Sequence, residues 1–166
     1  WSPKRITLST IGVIPNLKRF LEESRCHLAV SLHSPLSVQR EKLMPIEKTF
    51  KAADIIGLLR EYDWSHQRRL SFEYIMFDGL NDAPVYAREL SKLLSGLDCR
   101  INLIRFHKIP GSDLSPSTEE TMVRFRDFLT AKGFTCTIRA SRGEDIFAAC
   151  GMLSTTKEPG ARTEDG

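Results

Sequence analysis

Short strand-like segments alternate with helix-like segments along most of the chain, and this alternation restricts the possible folds more than any other feature. The strand-like segments are rich in β-branched, aliphatic or aromatic residues and cover residues 5–10, 27–33, 70–77, 100–106 and 135–139. Between them, apolar residues recur at helical spacing, as from Leu90 to Leu97. Alternating strands and helices favour parallel β/α units. We therefore predict an α/β fold with about five mostly parallel strands and flanking helices.

Proline, glycine and capping residues predict where several helices begin and end. Pro15 and Pro84 suit the first turn of a helix, where the missing N–H of proline costs no hydrogen bond. Asp82 suits the N-cap of the helix that contains Pro84, and Ser117 has capping-box spacing to a glutamate three residues later. Gly133 suits the position just past the end of the next helix.

The sequence contains neither a GxGxxG nor a P-loop motif, which argues against the common nucleotide-binding α/β folds. A β/α barrel remains, but five units in 166 residues are too few to close eight strands, which takes about 200 residues or more. We therefore predict an incomplete barrel. In such barrels the active-site residues lie at the carboxyl ends of the strands.

Polar residues follow the predicted strands at these ends, where together they could hold a polar small molecule. They are Ser9 and Thr10, Ser31 and His33, Glu73, His107, and the segment 141–145 that leads to Cys150. Each residue type also has an ordinary structural interpretation. Serine at a strand end commonly forms a turn, histidine is commonly hydrogen-bonded within the fold, and a free cysteine is commonly buried and inert.

Composition excludes several classes of protein. The net charge of +3, from 24 basic and 21 acidic residues, is too small to indicate nucleic-acid binding by itself. The four cysteines, at positions 26, 99, 136 and 150, form no CxxC pair, so neither a structural zinc site nor a disulfide framework is indicated. Reduced thiols and a cytoplasmic location are predicted. No apolar run is long enough to cross a membrane.

The two ends of the chain differ from its centre. The first residues, WSPKR, include no initiator methionine and do not have the form of a signal peptide, which is typical of a piece of a longer chain. We expect one domain over residues 1–153. The polar segment 154–166 contains glycine and proline, and we expect it to be a disordered tail.

A series of motifs, in order and covering about residues 5–153, resembles the radical S-adenosylmethionine adenine methyltransferases that modify RNA. The motifs are ITLSTIGVIP at 6–15, AVSLHSP at 29–35, KLMPI at 42–46, FEY at 72–74, GLND at 79–82, NLI at 102–104, and RGEDI with AACG within 142–151. The resemblance implies the C-terminal part of a partial radical S-adenosylmethionine barrel.

The resemblance also implies a function, methylation of adenine C2 in 23S ribosomal RNA and tRNA. S-adenosylmethionine is then the cofactor, held by Ser9, Ser31, Leu32 and His33. Cys150, within the AACG motif, is then the catalytic residue that carries the methyl group, and a second cysteine later resolves the crosslink to RNA as a disulfide. The full-length protein is expected to hold a [4Fe-4S] cluster and to need an electron donor.

The chain departs from the family pattern at several points. His107 stands where the family has asparagine as its last cofactor contact, and Arg105 replaces the usual proline. An imidazole cannot copy the paired hydrogen bonds of a carboxamide. The CxxxCxxC motif for the cluster, the GEP segment and the resolving cysteine do not occur in this sequence, so no metal ligand is assigned here.

Two alternatives stay open. The first is methylation of adenine C8, because the related C8 enzymes share most of these motifs. The second is a non-catalytic RNA-binding module built on the same barrel. In that case basic residues would contact phosphates, with Arg68, Arg69, Lys108 and Arg124 as the candidates.

Overall fold

The computed structural model describes residues 7–65 and 68–140, which form one parallel sheet with helices packed against it. The five strands lie in the order in which they follow along the chain, and every neighbouring pair is parallel. They are β1 (Thr7–Thr10), β2 (His27–Ser31), β3 (Leu70–Met76), β4 (Arg100–Arg105) and β5 (Thr135–Ala140). The prediction of an α/β fold with five parallel strands is confirmed.

Helices occupy the connections between the strands. They are α1 (Ile14–Glu23), α2 (Ser37–Leu43), α3 (Ala52–Leu59), α4 (Pro84–Leu93) and α5 (Glu119–Ala131), and a 3-10 turn (Pro45–Lys48) lies between α2 and α3. Proline lies in the first turn of α1 and of α4, as predicted. Gly133 follows the end of α5 with a φ of 96°, which confirms its predicted role because that backbone conformation favours glycine.

Two predicted helix caps are wrong by one residue. The N-cap of α4 is Ala83 and that of α5 is Thr118, whose hydroxyl accepts a hydrogen bond from the N–H of Thr121 (3.2 Å). The predicted caps, Asp82 and Ser117, bond instead to each other, at 2.8 Å. This side-chain contact joins the turn before α4 to the turn before α5, so both residues serve tertiary structure rather than a helix end.

The main hydrophobic core lies between one face of the sheet and the helices. Alternate residues of each strand point to this face, as the period of a strand requires. The strands contribute Leu28, Val30, Phe72, Tyr74, Met76, Ile101 and Leu103, and the helices contribute Leu17, Leu21, Ile55, Ile56, Leu59, Leu90, Met122, Phe125 and Leu129. The helices therefore cover this face completely at its centre.

The opposite face of the sheet is polar along much of its length. The intervening strand residues include Ser9, Ser31, Glu73, Asn102 and Thr137. Parallel sheets are ordinarily covered on both faces and are apolar on both. A polar, partly exposed second face is typical of the inner wall of a barrel arc, which agrees with the predicted incomplete barrel.

Several predictions fall outside the described residues. They are the role of Cys150, the domain boundary at residue 153 and the disorder of residues 154–166. Among residues 7–65 and 68–140, no helix has both the length and the apolar character needed to cross a membrane.

Candidate functional site

Ser9 and Ser31 lie on the same face of the sheet near the carboxyl ends of neighbouring strands. Ser9 pairs in register with Ala29, and Ser31 lies two residues further along β2, so all three side chains point to the polar face. Ser9 is exposed, whereas Ser31 is buried. The predicted grouping of these two serines at one end of the sheet therefore agrees with the topology.

His33 lies just beyond the end of β2 in an unusual backbone conformation. Its φ of 59° makes it the one non-glycine residue of the described chain with a positive φ. Such a conformation is strained for histidine and persists when the surroundings hold it in place. The carbonyl of His33 accepts a hydrogen bond from the side-chain amide of Asn81 at 2.8 Å. His33 Nδ1 accepts a second one from the backbone N–H of Ile75 at 3.0 Å.

The imidazole of His33 is neutral, with its proton on Nε2. Burial, reinforced by the nearby charge of Arg40, lowers the pKa of His33 to about 3. Because Nδ1 accepts a hydrogen bond, the single proton of the neutral ring is on Nε2. Nε2 is buried and has no hydrogen-bond partner within residues 7–65 and 68–140. An unpaired buried donor costs about 1–3 kcal/mol, so this atom would gain from an acceptor supplied by a ligand.

The low pKa of His33 predicts how stability depends on pH. The folded pKa lies below the unfolded value, so between pH 6.5 and 3 the unfolded chain binds a proton that the folded chain does not. The free energy of unfolding is therefore unaffected by protonation of His33 above pH 6.5, and it decreases as the pH falls from 6.5 toward 3. We expect a loss of about 2 kcal/mol from this residue between pH 7.5 and 5, measured by urea unfolding.

His33→Asn is a suitable control for this measurement. Asparagine does not titrate, tolerates a positive φ and offers an oxygen to the N–H of Ile75. Other groups titrate equally in both proteins, so the difference between the two pH profiles isolates His33. Identical profiles for the two proteins would show that the pKa of His33 is the same in the folded and unfolded chain, which would contradict this prediction.

Leu32 differs from its two neighbours in the motif. Its side chain is in the hydrophobic core, on the face opposite Ser31. Its backbone N–H donates to the carbonyl of Glu73 at 2.9 Å, and its carbonyl accepts from Arg40 at 3.0 Å. The contact between Leu32 and a cofactor stays a prediction, and its polar backbone atoms already have partners within the protein.

His107 lies in the exposed loop that follows β4. Arg105, the other departure from the family pattern, forms an ion pair with Glu119, in which Arg105 Nη2 lies 3.0 Å from Glu119 Oε2. This pair ties the end of β4 to the first residue of α5, although it is exposed and so stabilises the fold little. The role of His107 as a cofactor contact stays a prediction.

A row of polar side chains crosses the inner face of the sheet next to Ser31. Ser31 pairs in register with Glu73, Glu73 with Asn102, and Asn102 with Thr137. The Thr137 hydroxyl donates to Asn102 (2.9 Å), whose amide donates to Glu73 (3.3 Å), and Arg139 donates to the other oxygen of the same carboxylate (2.8 Å). These bonds hold the row in one orientation and make the wall beside Ser31 suitable for a polar ligand.

A buried ion pair between Arg40 and Glu47 contacts the backbone at the end of β2. Arg40 is 0% exposed, and its guanidinium is 2.6 Å from the Glu47 carboxylate. The same guanidinium donates to the carbonyls of Ser31 and Leu32, both at 3.0 Å. Burial lowers the pKa of Arg40, and the bond to Glu47 opposes that change. The Glu47 carboxylate also accepts from the N–H of Ala52, at the start of α3 (2.8 Å).

Sequence reasoning did not assign a role to Arg40 or to Asn81. Asn81 belongs to the GLND motif, which indicated importance without a mechanism, and Arg40 belongs to none of the motifs. An asparagine in a turn that follows a predicted strand is a usable sequence signal for a structural role, because such a side chain usually bonds to nearby backbone. No sequence pattern distinguishes a fully buried arginine in a helix from an exposed one.

Two of the described cysteines, Cys99 and Cys136, are poor nucleophiles because they are buried. Burial raises the pKa of Cys99 and of Cys136 to about 12 in each case, and neither forms a disulfide. Cys26 is half-buried and also free. No group of three or more metal-ligating side chains occurs among the described residues. The predicted catalytic residue, Cys150, lies outside them.

Two of the four basic residues proposed as RNA contacts are engaged within the protein. Arg68 donates to the carbonyls of Cys26 and Leu21 and lies 5.2 Å from the rings of Phe20 and Trp64. Arg124 pairs with Glu120 on the surface of α5. Arg68 therefore has a structural role, which weakens the interpretation of the chain as an RNA-binding module.

A cavity of about 430 Å³ lies at the other end of the sheet, where β4 and β5 begin. Its lining includes Lys92, Asp98, Lys132 and Thr135, and none of the predicted site residues. The cavity is therefore separate from the polar strand ends described above.

Comparison with known proteins identifies relatives over nearly the whole chain, although no family model matches it. The chain is 66% identical to a probable dual-specificity RNA methyltransferase RlmN from Bacteroides thetaiotaomicron, over 95% of this chain and 46% of that protein. It thus spans about half the length of the curated relatives that it matches, and the match is to their C-terminal half.

Solved structures agree with this relationship. A radical SAM methyltransferase from Sphaerobacter thermophilus superposes with a TM-score of 0.81 and 39% identity, over 91% of this chain and 45% of that chain. A domain of pyruvate-formate lyase-activating enzyme from Bacteroides vulgatus, 15% identical over 80% of both chains, superposes with a TM-score of 0.64 and shares the fold. The five-stranded sheet therefore has the fold of radical S-adenosylmethionine proteins, and over nearly its whole length the chain is similar to one half of radical S-adenosylmethionine RNA methyltransferases.

Proposed function

We propose that this chain is the C-terminal half of an enzyme that methylates C2 of adenine in 23S ribosomal RNA and in tRNA. The observation that carries the proposal is the 66% identity, over 95% of the chain, to a probable dual-specificity RNA methyltransferase. The chain spans 46% of that relative, so the activity belongs to the full-length protein. Within that enzyme, the role that we assign to this chain is to bind the cofactor and to provide the residue that carries the methyl group.

The residues at the carboxyl end of the sheet suit S-adenosylmethionine as a ligand. The buried Nε2–H of His33 has no acceptor among the described residues, and the cofactor offers carboxylate, hydroxyl and ring-nitrogen acceptors. Ser9 and Ser31 add hydroxyl groups on the same face, and Leu32 and His107 are the further contacts implied by the motifs. S-adenosylmethionine supplies a methyl group and, when reduced by an iron–sulfur cluster, the radical chemistry needed to functionalise an unactivated carbon.

The iron–sulfur cluster does not fit the residues of this chain. The four cysteines include no CxxxCxxC motif, and the described residues contain no group of three potential metal ligands. We therefore assign the [4Fe-4S] cluster to the full-length protein outside this chain, together with the site for its electron donor. We expect that protein to act in the cytoplasm, where its RNA substrates are.

Cys150 is the residue that we propose to carry the methyl group. It is the cysteine of the AACG motif, which the other three cysteines lack. Adenine C2 is not nucleophilic enough to take a methyl group directly from a sulfonium by polar transfer. A thiolate is a strong nucleophile, so an enzyme can divide the reaction into two easier steps by using one as a relay.

The proposal is tested by methylation of RNA with the full-length protein as its gene encodes it. The protein is reconstituted anaerobically with iron and sulfide and given an adenine-containing ribosomal RNA transcript with methyl-labelled S-adenosylmethionine. We expect labelled 2-methyladenosine after digestion of the RNA to nucleosides and mass spectrometry. Labelled 8-methyladenosine would support the alternative regiospecificity, and RNA binding without any methyl transfer would support the binding module instead.

A pair of serine variants tests whether the strand ends hold the cofactor. We expect Ser31→Ala to raise the Kd for S-adenosylmethionine by about tenfold, the effect of losing one hydrogen bond. Ser71→Ala is the matched control, because Ser71 lies on the same face in the register of Ala29, further from the strand ends. Equal affinities for the two variants would contradict the assignment of Ser31.

A further inference from the structure

We propose that Arg40 and Asn81 are positioning residues, which together hold the backbone of Ser31, Leu32 and His33 in the conformation that receives S-adenosylmethionine. The carbonyl of each residue in this motif accepts a hydrogen bond from one of these two fully buried side chains. This inference rests on the proposed function, because it takes the strand end at residues 31–33 as the cofactor site. It adds two residues that do not themselves touch the cofactor.

Arg40 holds the first two carbonyls. Its Nη2 donates to Ser31 and its Nε to Leu32, each at 3.0 Å, while its Nη1 is 2.6 Å from Glu47. The three donors point in fixed directions because the guanidinium is planar. Glu47 therefore fixes the orientation of the guanidinium, which in turn fixes the path of the chain at the end of β2.

Asn81 holds the third carbonyl and joins it to the neighbouring strand. Its amide nitrogen donates to the carbonyls of His33 and Ile75, both at 2.8 Å, and its amide oxygen accepts from the N–H of Phe77 at 2.8 Å. The backbone carbonyl of Asn81 accepts from the hydroxyl of Tyr74 at 2.6 Å. One side chain thus links the turn at His33 to the end of β3.

These bonds explain how His33 keeps its positive φ. The strained conformation directs the imidazole so that Nδ1 accepts from the N–H of Ile75, while Nε2 remains without a partner in the part of the chain that the structure describes. Without the bond from Asn81 to its carbonyl, the residue would relax toward an ordinary negative φ and carry the ring with it. The donor that we assign to the ligand would then be displaced.

The first test compares two conservative arginine variants in the full-length protein. Arg40→Lys keeps the charge and removes the planar set of donors. Arg60→Lys is the matched control, since Arg60 also donates to two backbone carbonyls, those of Ser95 (2.8 Å) and Leu93 (3.1 Å), where α4 ends and away from residues 31–33. The probe is S-adenosylmethionine, and its Kd is measured by anaerobic equilibrium dialysis below the Tm of every variant.

We expect Arg40→Lys to raise the Kd by about tenfold or more and Arg60→Lys to leave it within about twofold of the wild type. A merely structural role would lower the Tm of the Arg40 variant and leave its Kd at the wild-type value, and that result would overturn the proposal. If the wild-type protein itself binds no S-adenosylmethionine, the proposed function fails, which is a different outcome.

Two further variants keep the test decisive if Arg40→Lys does not fold. The double variant Arg40→Met with Glu47→Leu removes both charges together and leaves neither unpaired. Asn81→Asp keeps the oxygen that accepts from Phe77 and loses the donor to His33. We expect each to bind S-adenosylmethionine at least about tenfold more weakly than wild type. Wild-type affinity in either folded variant, or failure of every variant to fold, would make Arg40 and Asn81 residues of the core rather than positioning residues.

Discussion

Replacement of Cys150 by alanine is expected to reduce methyl transfer to RNA by about 10⁴-fold or more, because loss of an enzymatic nucleophile has effects of this size. Cys99 and Cys136 are poorly suited to substitute for it. Burial raises the pKa of Cys99 and Cys136 to about 12, so almost none of either thiol is ionised near pH 7.5. The measurement is incorporation of a labelled methyl group into adenine by the full-length protein.

Cys99→Ala and Cys136→Ala provide the matched controls. Both thiols lie in the hydrophobic core, and replacing sulfur by hydrogen there removes little volume. We expect these variants to retain activity within about threefold, with a modest loss of stability. Wild-type turnover in Cys150→Ala, or a methyl label recovered on Cys136, would refute the assignment of Cys150.

Loss of the buried carboxylate at position 47 is expected to cause the largest change in stability. Glu47→Ala leaves the charge of Arg40 buried without its partner and removes the acceptor for the N–H of Ala52. Breaking a buried ion pair from one side costs about 3–5 kcal/mol. We expect the free energy of unfolding, measured by urea denaturation, to fall by about that amount.

Glu120→Ala is the control for this experiment. Glu120 also pairs with an arginine, but the side chains of Glu120 and Arg124 are 73% and 79% exposed. We expect its loss to change stability by less than about 0.5 kcal/mol. The double variant Arg40→Met with Glu47→Leu should be more stable than Glu47→Ala, since it leaves no unpaired charge. Equal losses for Glu47→Ala and Glu120→Ala would mean that Arg40 is hydrated in the folded protein.

Local patterns were sufficient to predict the order and type of the main elements. In the strands, core residues such as Phe72 and Ile101 alternate with residues on the opposite face of the sheet. In the helices, core residues such as Leu90 recur every three or four positions, so the spacing of apolar residues indicates the secondary structure of each segment. Helix ends were predicted less well. Asp82 and Ser117 are good capping residues in isolation, but they bond to each other across two turns, and no local signal reports that contact.

The candidate site was predicted in part for the same reason. Parallel strands bring their carboxyl ends to one edge of the sheet, so the positions of Ser9, Ser31 and His33 after two strands already implied that they share an edge. The neutral state of His33 could not be predicted, because its low pKa results from burial and from Arg40, which lies in the helix after the next turn.

The sequence by itself determined the α/β class, the parallel topology and the residue types at the strand ends, because these depend on periodicity and on short motifs. The tertiary structure decided which side chains hold those ends in place. Arg40 and Asn81 act through hydrogen bonds to backbone carbonyls outside their own elements, 8 positions away for Arg40 and Leu32 and 48 positions away for Asn81 and His33. Glu47 acts by orienting Arg40. Only the packed fold brings such groups together and excludes the water that would otherwise compete for their hydrogen bonds.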